Sequence, residues 1–151
     1  MSIKVTYRST EDLSAIMGQI TDQIRHEMER RAFRSSLELY NESQEVLRGQ
    51  RNGRIYRVPG TKAYYTASAP GEPPAVRTGL FRMSWKPTSK VDGDLYTSTI
   101  ENMVQVGTNR KYLLGELLEG GTIRMAPRPY QDEILDRAEQ NIVRIYSEPY
   151  F

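Results

Sequence analysis

The chain has 151 residues, 38% of them hydrophobic, with 21 basic and 19 acidic side chains and no cysteine. That length suits one domain, and the missing cysteines exclude a disulfide framework and thiolate chemistry. A net charge of +2 excludes a strong overall pull onto nucleic acid.

The apolar fraction is low against the usual ~45–50%, which implies either a polar surface or a thin core that neighbours complete. Charge is uneven along the chain. Arg48, Arg51, Arg54, Arg57 and Lys62 fall in a stretch, 48–71, without an acid, whereas Asp132, Glu133, Asp136, Glu139 and Glu148 outnumber Arg137 and Arg144 near the end. Such asymmetry suits head-to-tail packing of identical subunits. No apolar run approaches the ~20 residues that span a bilayer, and "MSIKVTYRSTEDL" lacks a signal-peptide apolar segment. The expectation is a soluble protein without membrane contact, working in the cytoplasm where it is made.

"IKVTY" (3–7) alternates and predicts a strand. Ser9 or Thr10 then caps a helix whose stripe is Leu13, Ile16, Met17, Ile20, Ile24 and Met28. Phe33, Leu37 and Tyr40 lie roughly opposite that stripe at ~100° per residue. An unbroken helix from Thr10 to Arg48 is about 58 Å long, whereas a globule of this size is about 40 Å across. The helix is therefore expected to bend, to break near Arg30 to Ser36, or to project so that Phe33, Leu37 and Tyr40 meet a partner.

Residues 49–77 hold no lasting period and are punctuated by Gly and Pro. Their tyrosines argue against disorder, so an extended inter-subunit arm is expected, with short strands at "RIYRV" and "AYYTA". Thr78 is the expected cap of a short helical turn, "GLFRMSW". "TSKV" and "LYTSTIE" flank Asp92-Gly93 as a hairpin, and "MVQVGT" is a third strand candidate. "KYLLGELLEGG" predicts a short helix closed by Gly120 or Gly121, "TIRMAPRPY" an extended segment, and Ile134, Leu135, Ala138, Ile142 and Ile145 a last amphipathic helix. The order predicts one α+β domain over 1–151: a long N-terminal helix, an extended Pro/Gly-rich arm, a small antiparallel sheet, a short helix and a C-terminal helix.

Chemistry is sparsely represented. His26, the only histidine, sits mid-helix among charges and reads as solvated; a metal site or a triad needs more. Glu116 and Glu119 are three apart on a short helix, a weak candidate for a hydrolase. "RGQRNGRIYRV" has the composition of a nucleic-acid arm using Arg51, Arg54, Tyr56 and Arg57, although a solvated or subunit-facing loop is the plainer reading. No cofactor, metal or catalytic constellation is expected.

One longer pattern stands out. Ala67, Ser68, Pro70, Gly71, Glu72, Pro73 and Pro74 precede the turn Thr78, Gly79, Leu80 and Ser84. Tyr112 then precedes Glu119, Gly121 and Thr122, and Arg128, Pro129 and Tyr130 close the series. In order and spacing, over 56–138, this resembles the small neck or tail-completion (tail-component) family of tailed bacteriophages, Hong Kong 97 type. A departure is Gly120, where that family commonly carries an aromatic residue.

The resemblance implies a non-enzymatic virion protein forming a ring, a hexamer by analogy or else a dodecamer. The ring would lie between the head-side connector or stopper and the tail terminator or tail tube, with transient contact to the genome in its lumen. Pro73 and Pro74 stiffen the arm, so it loses less entropy on docking, and Leu80, Phe81 and Trp85 are expected to anchor it. The expected subunit or partner interface comprises Arg54, Tyr56, Tyr64 and Tyr65, the Pro70–Pro74 run, and Thr78, Leu80, Phe81 and Trp85. Phe33, Leu37, Tyr40, Glu119, Gly121, Arg128, Pro129 and Tyr130 complete it.

Overall fold

A computed structural model describes residues 1–8 and 18–150. The fold is α+β, and the expected strand at the start is present as β1 (Ser2–Arg8). The long helix α1 (Gly18–Arg48) follows; the expected cap at Ser9 or Thr10 and the stripe residues Leu13, Ile16 and Met17 lie outside the described residues. β2 (Ile55–Arg57) and β3 (Tyr64–Thr66) form a hairpin, and α2 (Leu80–Met83) is one turn. β4 (Lys86–Asp92) and β5 (Leu95–Glu101) form the second hairpin. β6 (Gln105–Val106), β7 (Tyr112–Leu113), α3 (Leu114–Gly120) and α4 (Gln131–Ser147) complete the chain.

The main sheet has the order β1-β5-β4, all antiparallel. "MVQVGT" does not supply its third strand: β1 does, while β6 pairs with β7 in a separate ladder. The second hairpin turns at Gly93-Asp94, one residue beyond the expected Asp92-Gly93, because Asp92 still pairs with Leu95. Gly93 has φ 63 and no non-glycine residue has positive φ among the described residues, so this is the Gly-X form of two-residue loop. One sheet face carries Ile3, Tyr96, Ser98 and Ile100 inward, and the other presents Lys4, Thr6, Thr88 and Lys90 to solvent, the alternation of a sheet covered on one side.

α1 lies over β4 and β5 and beside α4. It does not break near Arg30–Ser36, and its second half does not project: 31 continuous residues, about 46 Å, carry one buried stripe through Ile24, Met28, Ala32, Leu39, Val46 and Leu47. The apparent change of phase arises because the stripe is filled between Ala32 and Val46 largely by Ser35, Ser36 and Ser43, all fully buried. The Oγ atoms of Ser36 and Ser43 donate to the carbonyls of Phe33 (2.7 Å) and Tyr40 (2.6 Å), satisfying themselves within the helix. Ser98 Oγ on β5 donates to the Ala32 carbonyl at 2.7 Å. Small side chains thus let the helix backbone approach the sheet closely. Tyr40 packs against the core and is not free for a partner, whereas Phe33 (47% exposed) and Leu37 (36%) are open.

Arg31 is buried to 0% exposure. Its guanidinium donates to Glu27 at 3.0 Å and to the carbonyls of Tyr146 (3.3 Å) and Pro149 (3.0 Å), with the Tyr150 ring 4.4 Å away. A buried cation is tolerable only with such partners, and these tie the chain after α4 to the middle of α1.

Candidate assembly surface

Three aromatic rings meet where α2, the start of β4 and the start of α4 converge. Phe81, Trp85 and Tyr130 stand edge-on to one another at 5.6–6.0 Å between centroids, a geometry that adds to their burial. Trp85 is 2% exposed and Tyr130 1%, so neither is surface for a partner; Phe81 packs against the same core. Tyr130 Oη donates to the Gly115 carbonyl at 3.1 Å. Burial, with Glu119 and Glu116 nearby, pushes its phenol far above the ordinary value.

Glu119 also works internally. Its carboxylate accepts the amides of Tyr130 (3.0 Å) and Gln131 (3.3 Å), capping α4 from another helix where the dipole favours negative charge. Gly121 has φ 74, and a Cβ there would meet Met125 O and Pro127 N at 2.8 Å. At Gly120 a Cβ meets nothing within 4 Å, so the missing aromatic leaves no hole. The Arg128 amide donates to Leu118 O at 2.7 Å, and its guanidinium reaches the carbonyls of Ala126 and Pro127; Pro129 is exposed. The turn before α2 is made by Gly79 at φ 82, with no side-chain cap; Thr78 Oγ1 receives the Leu80 amide only at 3.4 Å. The motif residues from 78 onward therefore partly hold the chain's own fold, leaving Thr78, Leu80, Tyr112, Thr122 and Pro129 exposed.

The arm divides in two. Its base folds onto the body: the Glu72 carboxylate accepts the Ala69 amide (2.7 Å), the Asn52 amide (3.0 Å) and Asn52 Nδ2 (2.5 Å). Those bonds, Ala69 first, hold the Glu72 carboxyl below its ordinary range. Arg51 donates to Val46 O (2.6 Å) and Pro74 O (3.2 Å), and the Gly71 amide to Pro127 O (3.2 Å). Pro74 is buried and Pro73 half-buried; Pro70 and Gly71 stay exposed. The proline run is thus packed against its own chain, not held ready for a neighbour.

The β2–β3 hairpin is the part left out. Ile55 pairs with Thr66, Tyr56 with Tyr65 and Arg57 with Tyr64, closed by a Pro59-Gly60 turn with Gly60 at φ 75. One face carries Tyr56 against Tyr65, 6.1 Å apart. The other carries Ile55 and Tyr64, 70% and 69% exposed, beside Arg57. Among the described residues Arg54, Arg57 and Lys62 have no carboxylate partner, whereas the Arg57 guanidinium donates to Thr61 O at 2.6 Å.

A groove of about 570 Å³ lies between β1 and α4, floored by Val5, Tyr7, Leu135, Ile142 and Tyr146 and edged by Asp136, Glu139 and Val143. Tyr7 stacks on Tyr146 at 4.0 Å. Sequence reading missed this groove, although the spacing Asp132, Asp136, Glu139, Val143 places one stripe on the outer face of the last helix. A second groove, about 420 Å³, runs from the hairpin base over Val76, Leu80, Val104 and Leu118, and its charged lining is Arg77, Arg82 and Arg128.

His26 is exposed, 3.6 Å from Glu29. Among the described residues no group of His, Cys, Asp or Glu is arranged to hold a metal ion, and no helix is long and apolar enough to cross a membrane. Comparison with protein-family models, curated proteins and solved structures finds no match.

Proposed function

We propose that this chain is a structural subunit of the bacteriophage virion neck, a non-enzymatic protein that forms a homo-oligomeric ring between the head connector and the tail. The observation that carries this reading is the β2–β3 hairpin. A two-stranded hairpin is marginal alone in water, yet this one holds Ile55, Tyr56 and Tyr64 open to solvent. Surface of that kind marks association, and the motif order that resembles the neck family supplies the setting. The ring's remaining faces serve the head-side stopper and the tail terminator or tube.

Negative-stain images and mass measurement of purified protein test this, with rings expected. A strictly monomeric species, even with neighbouring neck proteins added, overturns it.

The cations of the hairpin, without a carboxylate partner among the described residues, favour a second reading, nucleic-acid binding through Arg54, Tyr56 and Arg57. Arg51 leaves that set, since it is committed to Val46 and Pro74. Binding that weakens steeply with salt and is lost on Arg54→Ala with Arg57→Ala supports it; no shift at low salt removes it.

A further inference from the structure

Two open surfaces of the molecule are complementary to each other. The hairpin is apolar at Ile55 and Tyr64 and cationic at Arg57 and Lys62. The groove between β1 and α4 is apolar along its floor and edged by Asp136 and Glu139. Neither carboxylate has a cationic partner among the described residues, although Glu133 and Glu148 on either side are paired with Arg137 and Arg34. We propose that the β2–β3 hairpin of one copy seats in the β1–α4 groove of the next, with Ile55 and Tyr64 against Leu135 and Val143 and with Arg57 and Lys62 facing Asp136 and Glu139.

Several observations select this occupant and this groove. The groove beside α2 is also apolar, but its charged lining is Arg77, Arg82 and Arg128, which repels a cationic hairpin. The β1–α4 groove runs along β1, an edge strand of the order β1-β5-β4, and edge strands accept further strands. Hairpin and groove are different surfaces of one chain, and no hairpin residue lines its own β1–α4 groove. The contact is therefore head-to-tail, the kind that closes into a ring when the rotation allows. Val143, 59% exposed on an otherwise charged helix face, lines the groove beside Leu135 and Tyr146, and such a contact covers it.

The inference rests on the ring reading and deepens it, and the test separates the two. The full chain carries Arg57→Glu with Lys62→Glu, or Asp136→Lys with Glu139→Lys, or all four together; all four sites are exposed, and circular dichroism checks folding. Each pair alone is expected to weaken association between copies on the order of 100-fold, and the fourfold exchange to restore it. Because the chain has no cysteine, Tyr64→Cys with Val143→Cys is expected to oxidise into a ladder of linked copies.

Rings that tolerate both charge pairs and give no ladder overturn the hairpin contact while leaving the ring reading intact. Wild-type chains that never associate, alone or with neck proteins present, overturn the ring reading first. Hairpin variants that keep the ring but lose binding to tail tube protein or DNA overturn the contact in favour of that partner.

Discussion

The two parts of the arm make opposite use of similar sequence. Residues 67–77, rich in proline, are held to the body by Glu72, Arg51 and Gly71. Residues 54–66, rich in tyrosine and arginine, meet little but each other. Stiffness and availability are thus separate properties: proline restricts the backbone wherever it ends up, whereas availability depends on which side chains find partners within the chain. The base resembles a bracket, and the hairpin is what the bracket presents.

The sharpest way to break the contrast is to remove the support beneath the bracket. Trp85→Ala is expected to destabilise the fold by about 3–5 kcal/mol, because the ring cluster with Phe81 and Tyr130 collapses; chemical denaturation measures it. Arg31→Met is expected to cost about 2–3 kcal/mol, since the carbonyls of Tyr146 and Pro149 lose their donor and Glu27 a partner. Fraying should concentrate after α4, visible in hydrogen exchange.

Glu72→Ala acts locally. Limited proteolysis should cut the arm base faster in the variant while the melting transition of the body moves little. The same linkage gives a pH dependence. Glu72 is held below its ordinary value of 4.5, so its contribution is complete above that value and disappears as pH falls through the lower, folded value. Protection of the arm base in wild type should therefore persist at neutral pH and be lost in acid, and in Glu72→Ala it should be pH-independent. The smallest stability effect belongs to Ile55→Ser with Tyr64→Ser: within about 0.5 kcal/mol for the isolated chain, yet with clear loss of association by sedimentation. A hairpin that stabilised its own body would reverse that order.

Several elements were readable in advance because their signals are local. β1, the two short arm strands, the β4–β5 hairpin and α4 announce themselves through alternation, turn residues or a 3.6-residue stripe. The errors have separate causes. Ser35, Ser36 and Ser43 occupy core positions that a hydrophobic pattern does not count, so the pattern implied a change of face that α1 does not make. Trp85 and Tyr130, conspicuous in sequence, were assigned to a partner surface although aromatic residues are as often core. Arg31 carried no sequence signal, and Glu119, conspicuous in the motif, was not legible as a cap, because a buried cation and a cap supplied from another helix exist only once distant segments meet.

By itself, then, the order of residues determined the α+β class, the separation of a basic middle from an acidic end, and the positions where the chain must turn. Tertiary packing alone decided that the proline run closes on its own body, that the aromatic motif residues become core, and that the hairpin and the β1–α4 groove remain open. The reason is physical: periodicity and turn chemistry act between neighbours along the chain, whereas burial and the pairing of charges depend on groups brought together from far apart, Arg31 and Pro149 among them.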